Sequence, residues 1–173
     1  MSNESPLRLI KVAAVLALFG YSAASLAATG SFEKSFAVDD GAIVDVSNQR
    51  GAVVVRGDDV SEVTIRARIT IDDRYSRTDP QKAGRVISAI KRSPPVEIAG
   101  NRITVGNLEK RTHRRYATIS YEILVPREAT VTVRSVSGNV RVSGISGEVK
   151  ATSDTGEVTV ANSDTGESAR SSS

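Results

Sequence analysis

Few residues in this 173-residue sequence have the types and spacing that catalysis requires. The single histidine, His113, lies in the basic run KRTHRR, and the sequence contains no cysteine. One histidine excludes a metal site built on two or more, and a Ser-His-Asp triad would have to use this one although no G-x-S-x-G motif accompanies it. The lack of cysteine excludes thiolate nucleophiles and disulfides. We therefore interpret His113 as a loop residue and predict that the protein is not an enzyme.

Aspartates are the other candidates for chemistry. Neighbouring residues of a strand point to opposite faces, so adjacent aspartates cannot converge on one glycosidic bond. Asp154 and Asp164 recur in S-D-T-G, but two carboxylates ten residues apart supply too few oxygens for a calcium repeat. All these aspartates are interpreted as turn formers, and no metal or cofactor is predicted. The adjacent pairs are Asp39-Asp40, Asp58-Asp59 and Asp72-Asp73.

Charge distribution indicates a binding surface. Between Arg74 and Arg115, eleven Lys or Arg residues stand against three acids, whereas between Gly138 and Glu167 two cations stand against five acids. Such asymmetry favours an anionic partner: an envelope polysaccharide, lipid head groups or another envelope protein. The alternative is that these cations form an ordinary solvent-exposed surface that binds no partner. The candidate anion contacts are Lys110, Arg111, Arg114 and Arg115.

The N-terminal residues have the pattern of an export signal. Arg8 and Lys11 precede the apolar run VAAVLALF and then GYSAASLAA, which is rich in small residues. This order predicts a signal peptide over residues 1–27, cleaved after Ala27, and export to the periplasm, envelope or exterior of a bacterium. A membrane anchor is the alternative, but spanning a bilayer takes about 20 apolar residues. Export argues against a nucleic-acid partner.

The rest of the chain is predicted to be one β-rich domain, residues 28–166, with a disordered tail over 167–173. In EVTIRARITI, apolar and polar residues alternate, which is typical of half-buried strands. One segment differs, because Ala83, Val86, Ile87 and Ile90 follow helical spacing. Asp79 as N-cap and Pro80 in the first turn predict one amphipathic helix over 80–92.

Glycine returns every nine or ten residues from Gly138, in the units G-N-V-R-V, G-E-V-K-A and G-E-V-T-V. In each unit the second and fourth residues after glycine are apolar and share one face. We expect two units to form one two-sided rung, so that Val140 stacks on Val158 and Val142 on Val160. The alternative is an antiparallel meander. The last rung is expected to expose an unpaired strand edge.

The run VPREATVTVRSVSGNVRVSGISGEVKATSDTGEVTV resembles the bacterial putative-adhesin family of exported domains. The resemblance covers about residues 32–166 and includes the helix and the EIAGNRITV hairpin. It implies a right-handed β-solenoid and brings no known catalytic or binding residues. The family's arrays run through more rungs than are visible here. Either this array is a shortened version, or its terminal edge pairs with something else.

Three functions follow from these patterns. The first is an exported, non-enzymatic β-solenoid module for adhesion or envelope scaffolding, with the four cations as anion contacts. The second is a β-sandwich module that binds a small ligand or a polysaccharide. The third is a polysaccharide hydrolase or lyase on a solenoid, although no cleft-forming insertion is visible in the sequence.

Overall fold

The computed structural model describes residues 28–106, 108, 110–161 and, for the backbone alone, 168–171. The predicted signal peptide and the predicted turn at Asp164 lie outside these residues. Within the described part, strands dominate and form two six-stranded sheets, so the all-β class is confirmed.

The strands of the first sheet, sheet A, are in spatial order β1 (Thr29–Ala37), β4 (Glu62–Ile71), β7 (Ala117–Pro126), β3 (Val53–Asp58), β9 (Val140–Ser143) and β11 (Val158–Ala161). Those of sheet B are β12 (Ser168–Ser171), β10 (Val149–Thr155), β8 (Thr130–Ser137), β2 (Ile43–Arg50), β6 (Arg102–Gly106) and β5 (Val96–Ala99). The described helices are α1 (Asp73–Thr78), α2 (Pro80–Arg92) and α3 (Arg111–Tyr116).

From β8 onward, successive strands alternate between the two sheets, and we call one strand of each sheet with the corner that joins them a tier. β9 and β11 pair in parallel, with Val140 opposite Val158 and Val142 opposite Val160. β8 and β10 pair in the same way, 18 residues apart. The predicted pairing of the repeats is therefore confirmed, and the antiparallel meander is wrong for this segment.

The order of the tiers differs from the order of the chain. The β2–β3 tier lies between the β6–β7 tier and the β8–β9 tier, because Val44 pairs in parallel with Ile103 on one side and with Val131 on the other. Beyond β7 and β6 the pairing becomes antiparallel, in β4, β1 and β5. The stack therefore has one antiparallel end and one parallel end, the latter at β11 and β12.

The core between the sheets is thin and made mainly of valine. The inward valines of β2, β3, β8 and β9 are at most 1% exposed, and isoleucine and alanine side chains fill the rest of the core. Tyr121 is the one aromatic residue buried in the described part of the chain. Small β-branched side chains on a closely paired backbone thus fill the interior.

Helix α2 is confirmed with the predicted boundaries. The Asp79 carboxylate accepts a hydrogen bond from the Lys82 amide at 2.8 Å, which caps the first turn. The apolar face packs against β1 and β4, where Ile87 lies against Gly30. The helix therefore covers the inner face of sheet A at the antiparallel end of the stack. Its buried residues are the four predicted ones, Ala83, Val86, Ile87 and Ile90.

The prediction of a single helix is wrong, because α1 and α3 are also helical. Each is six residues long, which is too short to show a helical period in the sequence. Ser168–Ser171 belonged to the predicted tail but forms β12, paired in parallel with β10. The 18-residue register places Ser168 opposite Lys150 and so continues the ladder.

Candidate functional site

The four predicted anion contacts lie together on α3 and on the residue that precedes it. Lys110 occupies the N-cap position, and Arg111, Arg114 and Arg115 follow within the helix. Lys110, Arg111 and Arg115 are exposed, and Arg114 is half-buried. We call these four residues the α3 cation cluster. The structure thus brings the predicted residues to one place, while their role in binding stays a prediction.

Helix α3 is not stable by its own sequence. Its N-cap makes no side-chain hydrogen bond. Arg111 lies three residues from Arg114 and four from Arg115, and like charges at those spacings each cost about 0.2–0.5 kcal/mol. Contacts from elsewhere in the fold must therefore hold the helix in place.

One of those contacts comes from Arg50, at the end of β2. Its guanidinium donates hydrogen bonds to the carbonyl oxygens of Arg114 and Arg115, the latter at 2.7 Å. These carbonyls belong to the last turn of α3, where helix groups lack partners of their own. A strand of the stack thus fixes the helix, at the cost of placing a fifth cation beside the cluster.

A pair of tyrosines makes the second contact. The rings of Tyr75 in α1 and Tyr116 in α3 stack with centroids 3.8 Å apart and planes inclined by 10°. Lys82 Nζ lies 5.7 Å from the Tyr75 centroid, and Arg115 Cζ lies 5.5 Å from that of Tyr116. Such cation–π contacts are worth about 0.5–1 kcal/mol at exposed sites. Sequence reasoning missed this pair, because no local pattern connects two tyrosines so far apart in the chain.

The cluster has no acidic partner in the described part of the chain, a feature that it shares with several strand cations such as Arg68 and Arg134. Among the described residues, which leave out 107 and 109, six ion pairs occur and none includes a residue of the cluster. Elsewhere on the surface, Arg66 Nη2 lies 3.1 Å from Glu33 Oε1, and Arg127 Nη2 lies 3.3 Å from Asp58 Oδ1. The positive field of the cluster is thus not neutralised by these acids.

A cavity of about 440 Å³ adjoins the cluster, between the end of α2, strands β5 and β6 and the start of α3. Its apolar wall includes Ile90, Val105 and Leu108. A volume of this size can hold a small ligand or one unit of a polymer. The polar side chains that line it are Ser47, Ser93, Glu97, Thr104, Lys110 and His113.

Partial burial and the nearby Lys110 lower the pKa of His113 below the ordinary histidine value. The unfolded chain therefore binds a proton more readily, starting at about pH 6.5. We expect this group to make the free energy of unfolding fall as pH drops through that value and to level off below the folded pKa. Titration of His113 by NMR, in the wild type and in Lys110→Gln, checks the assignment. The midpoint should rise in the variant but stay low, because burial is the larger cause; an unchanged midpoint would remove Lys110 from the explanation.

Two of the paired aspartates make local hydrogen bonds to the backbone. The Asp72 carboxylate caps α1 by accepting from the Arg74 amide at 2.9 Å. Asp58 accepts from the amide of Asp59 at 2.9 Å. Within the described residues, no group of three or more His, Cys, Asp or Glu side chains is placed to hold a metal ion.

No helix in the described part of the chain has the length and apolar character needed to cross a membrane.

Comparison with solved structures shows a likeness of fold. No protein-family model matches the sequence, and no curated protein matches it. The fold is similar to a crystal structure described as a putative cell adhesion protein from Clostridium sporogenes, with a TM-score of 0.47 and 8% sequence identity. The match covers 82% of this chain and 68% of the other. At this level, the likeness says nothing about what the chain binds.

Proposed function

We propose that this protein is an exported, non-enzymatic module that attaches to an anionic polysaccharide of the bacterial envelope through the α3 cation cluster. The observation that carries the proposal is a set of like charges held together against their own repulsion. Arg50 and the Tyr75–Tyr116 stack fix α3 in place, while its guanidinium groups stay unpaired with any described acid. An arrangement that costs local stability is best explained by a partner that supplies the missing negative charge.

The composition of α3 favours a polysaccharide over a lipid surface. A helix that binds a membrane presents an apolar face to the acyl region. The exposed large hydrophobic residues in the described part of the chain are Ile98 and Val136, and neither belongs to α3. The single aromatic residue of α3, Tyr116, is engaged with Tyr75. The helix therefore offers charge without an apolar anchor.

The proposal includes a β-solenoid as the scaffold of the site. Parallel pairing at 18-residue spacing and valine columns between two sheets support it. In this arrangement the tiers are a rigid base from which α3 and the cavity project. The cavity shares Lys110 with the cluster, so a charged unit of the polymer could enter it.

Replacing the four cations of the cluster with Ser should weaken binding to polygalacturonate by about tenfold or more near 0.01 M salt, and the difference should vanish near 1 M salt, where the Debye length is about 3 Å. Binding is measured by co-sedimentation or by retention on the immobilised polymer. A parallel measurement uses vesicles of phosphatidylglycerol mixed with phosphatidylcholine. Binding to the vesicles alone would replace the polysaccharide with a lipid surface.

A matched control removes the same charge from the strands. It replaces with Ser one exposed lysine and three exposed arginines that belong to no ion pair among the described residues. These residues are Lys34, Arg68, Arg134 and Arg141. We expect this variant to keep most of the binding. An equal loss in both variants would show that net charge alone matters and that the cluster is a solvated surface.

A further inference from the structure

Helix α2 carries a second group of cations on its exposed side. Arg85 and Arg92 lie seven residues apart, so they stand on the same side of the helix, about 10 Å apart along its axis. That side is opposite to the buried face, and both arginines are exposed. The helix contains no acid, and none of its cations belongs to an ion pair among the described residues. The cations of α2 are Lys82, Arg85, Lys91 and Arg92.

The acids that precede α2 in the sequence are engaged elsewhere. The Asp79 carboxylate accepts from the Lys82 amide at 2.8 Å and caps α2, and Asp72 caps α1 in the same way. Asp73 Oδ2 lies 3.9 Å from Arg77 Nη2 within α1. None of these acids therefore forms an ion pair with the outward cations of α2.

Two contacts place α2 and α3 beside each other in opposite directions. Near the end of α2, Ala89 lines the cavity together with Lys110, which precedes α3. Near the start of α2, the Lys82 ammonium lies over the ring of Tyr75, which stacks on Tyr116 at the end of α3. The end of each helix thus lies near the start of the other. The cations of both helices therefore share one surface, at the antiparallel end of the stack.

The tyrosine stack limits the distance between the two groups of cations. Lys82 Nζ lies 5.7 Å from the Tyr75 centroid, and Arg115 Cζ lies 5.5 Å from the Tyr116 centroid, with 3.8 Å between the two centroids. Taken end to end, these distances place Lys82 Nζ no farther than about 15 Å from Arg115 Cζ. The Debye length is about 8 Å at physiological salt, so a small anion bound at one helix gains little from the other. A chain that lies across both helices gains from both.

The residues outside the described ranges carry little negative charge that could cover this surface. Residues 1–27 contain one acid against two cations, and position 109 adds one acid. Residues 162–167 contain two acids, but they join β11 to β12 at the parallel end of the stack. Four strand spacings of about 4.8 Å separate β11 from β4, on which α2 packs, and a connection of six residues held at both ends is too short to cross them. The complementary charge is therefore expected from another molecule.

We propose that α2 and the α3 cation cluster form one binding face for a linear polysaccharide with a negative charge on successive units, and that this polymer lies across both helices. The inference rests on the proposed function and adds the chain length and the charge density that the partner must have. An unbroken polyuronate fits, because its consecutive carboxylates reach both groups of cations. A polymer whose charges are isolated between neutral units engages one helix at a time.

The test removes two charges from α2 and, as a control, two from the strands. The α2 variant combines Arg85→Gln and Arg92→Gln, since glutamine keeps the helix propensity, and it retains Lys82, which contacts the tyrosine stack. The control combines Arg134→Gln and Arg141→Gln, which are exposed and belong to no ion pair among the described residues. Near 0.01 M salt, the α2 variant should bind polygalacturonate about fivefold more weakly than the wild type, and the control less than about twofold more weakly.

Chain length provides the sharper measurement. Oligogalacturonates from the dimer upward compete with fluorescent polygalacturonate for the wild type, the α2 variant and the control. The shortest oligomers that bind should have equal affinity for the wild type and the α2 variant, whereas longer ones should favour the wild type. The wild type should also have the steeper salt dependence with the polymer, because the slope follows the number of charge contacts. Partly methyl-esterified polygalacturonate, which lacks unbroken runs of charge, should bind the wild type and the α2 variant alike.

The outcomes separate this inference from the proposed function. Equal losses in the α2 variant and the control, or the same ratio of wild-type to variant affinity at every chain length, would overturn the inference. The proposed function would still stand if Ser at the four positions of the α3 cation cluster abolished binding of the polymer. Circular dichroism establishes that the α2 variant is folded, and the length series needs no variant: a wild-type affinity per uronate unit that does not rise with chain length would overturn the inference by itself.

Discussion

Gly138→Ala is expected to lower the free energy of unfolding by about 3–4 kcal/mol, a large effect for one methyl group. Gly138 has a φ of 135°, in the region that residues with a Cβ rarely adopt. The added Cβ would lie 2.3 Å from the carbonyl oxygen of Gly51 in the neighbouring tier. That carbonyl is backbone and also accepts a hydrogen bond from Asn48, so it cannot move without disturbing its own corner. Urea unfolding, monitored by circular dichroism, measures the change.

Substitutions at two other glycines distinguish the cost of the close contact from the cost of backbone strain. Gly100 has a φ of 58°, but a Cβ added there would meet no atom within 4 Å, so Gly100→Ala should cost only the strain, about 1–2 kcal/mol. Gly84 lies in α2 with open space around it, and Gly84→Ala should stabilise the protein by about 0.5–1 kcal/mol. If Gly138→Ala costs no more than Gly100→Ala, the close stacking of the corners does not limit the sequence.

The sequence predicted those features that each segment encodes locally. The alternation in β4 and the helical spacing in α2 are each complete within one element, and both predictions are confirmed. The pairing of Val140 with Val158 is confirmed for a related reason. Both valines follow a glycine at the same distance, so the register of the corner fixes the register of the strands.

The order of the tiers could not be predicted in the same way. Val44 pairs with Val131, 87 positions away, and with Ile103 on the other side. The tiers present similar small aliphatic side chains to the core, so the pattern that makes a tier does not say which tier lies next to it. The choice depends on long-range packing and on the antiparallel strands and α2, which occupy one end of the stack.

The sequence predicted the charges of the candidate site but not the contacts that hold them in place. Cations can be counted in the sequence, and the run KRTHRR stands out. The helical conformation of this run cannot be predicted from the sequence, because the contacts that hold α3 come from Arg50 and Tyr75, which are distant in sequence. A short basic segment on its own has the pattern of a loop, and the fold supplies what its local sequence lacks.

A column of polar residues runs through the valine core beside the glycine corners. Asn48 pairs with Ser135 in the sheet, and Ser135 pairs with Ser153. All three are buried, but their side chains differ in the hydrogen bonds that they make. Ser153 Oγ donates to the Gly138 carbonyl at 3.0 Å, whereas Ser135 Oγ has no hydrogen-bond partner among the described residues. Equivalent positions in the ladder therefore contribute differently to stability.

Asn48 makes the strongest contribution of this column. Its Nδ2 donates to the carbonyl oxygens of Gly51 at 2.9 Å and Ile119 at 3.0 Å, so it connects its own corner to strand β7 of the neighbouring tier. Asn48→Ala removes both bonds and leaves buried carbonyl groups without this donor, so it should lower the free energy of unfolding by about 2–3 kcal/mol.

Ser135→Ala is the matched control for Asn48→Ala, because it truncates a buried polar side chain one tier away. It removes a hydroxyl that is already unsatisfied, so the free energy of unfolding should stay the same or rise by up to about 1 kcal/mol. Urea unfolding of the two variants under identical conditions gives the comparison. Equal losses would mean that filling the space at the corner matters and that the amide bonds do not. Opposite signs would establish that the corner carbonyls, and the donors that reach them, hold successive tiers together where the valine core ends.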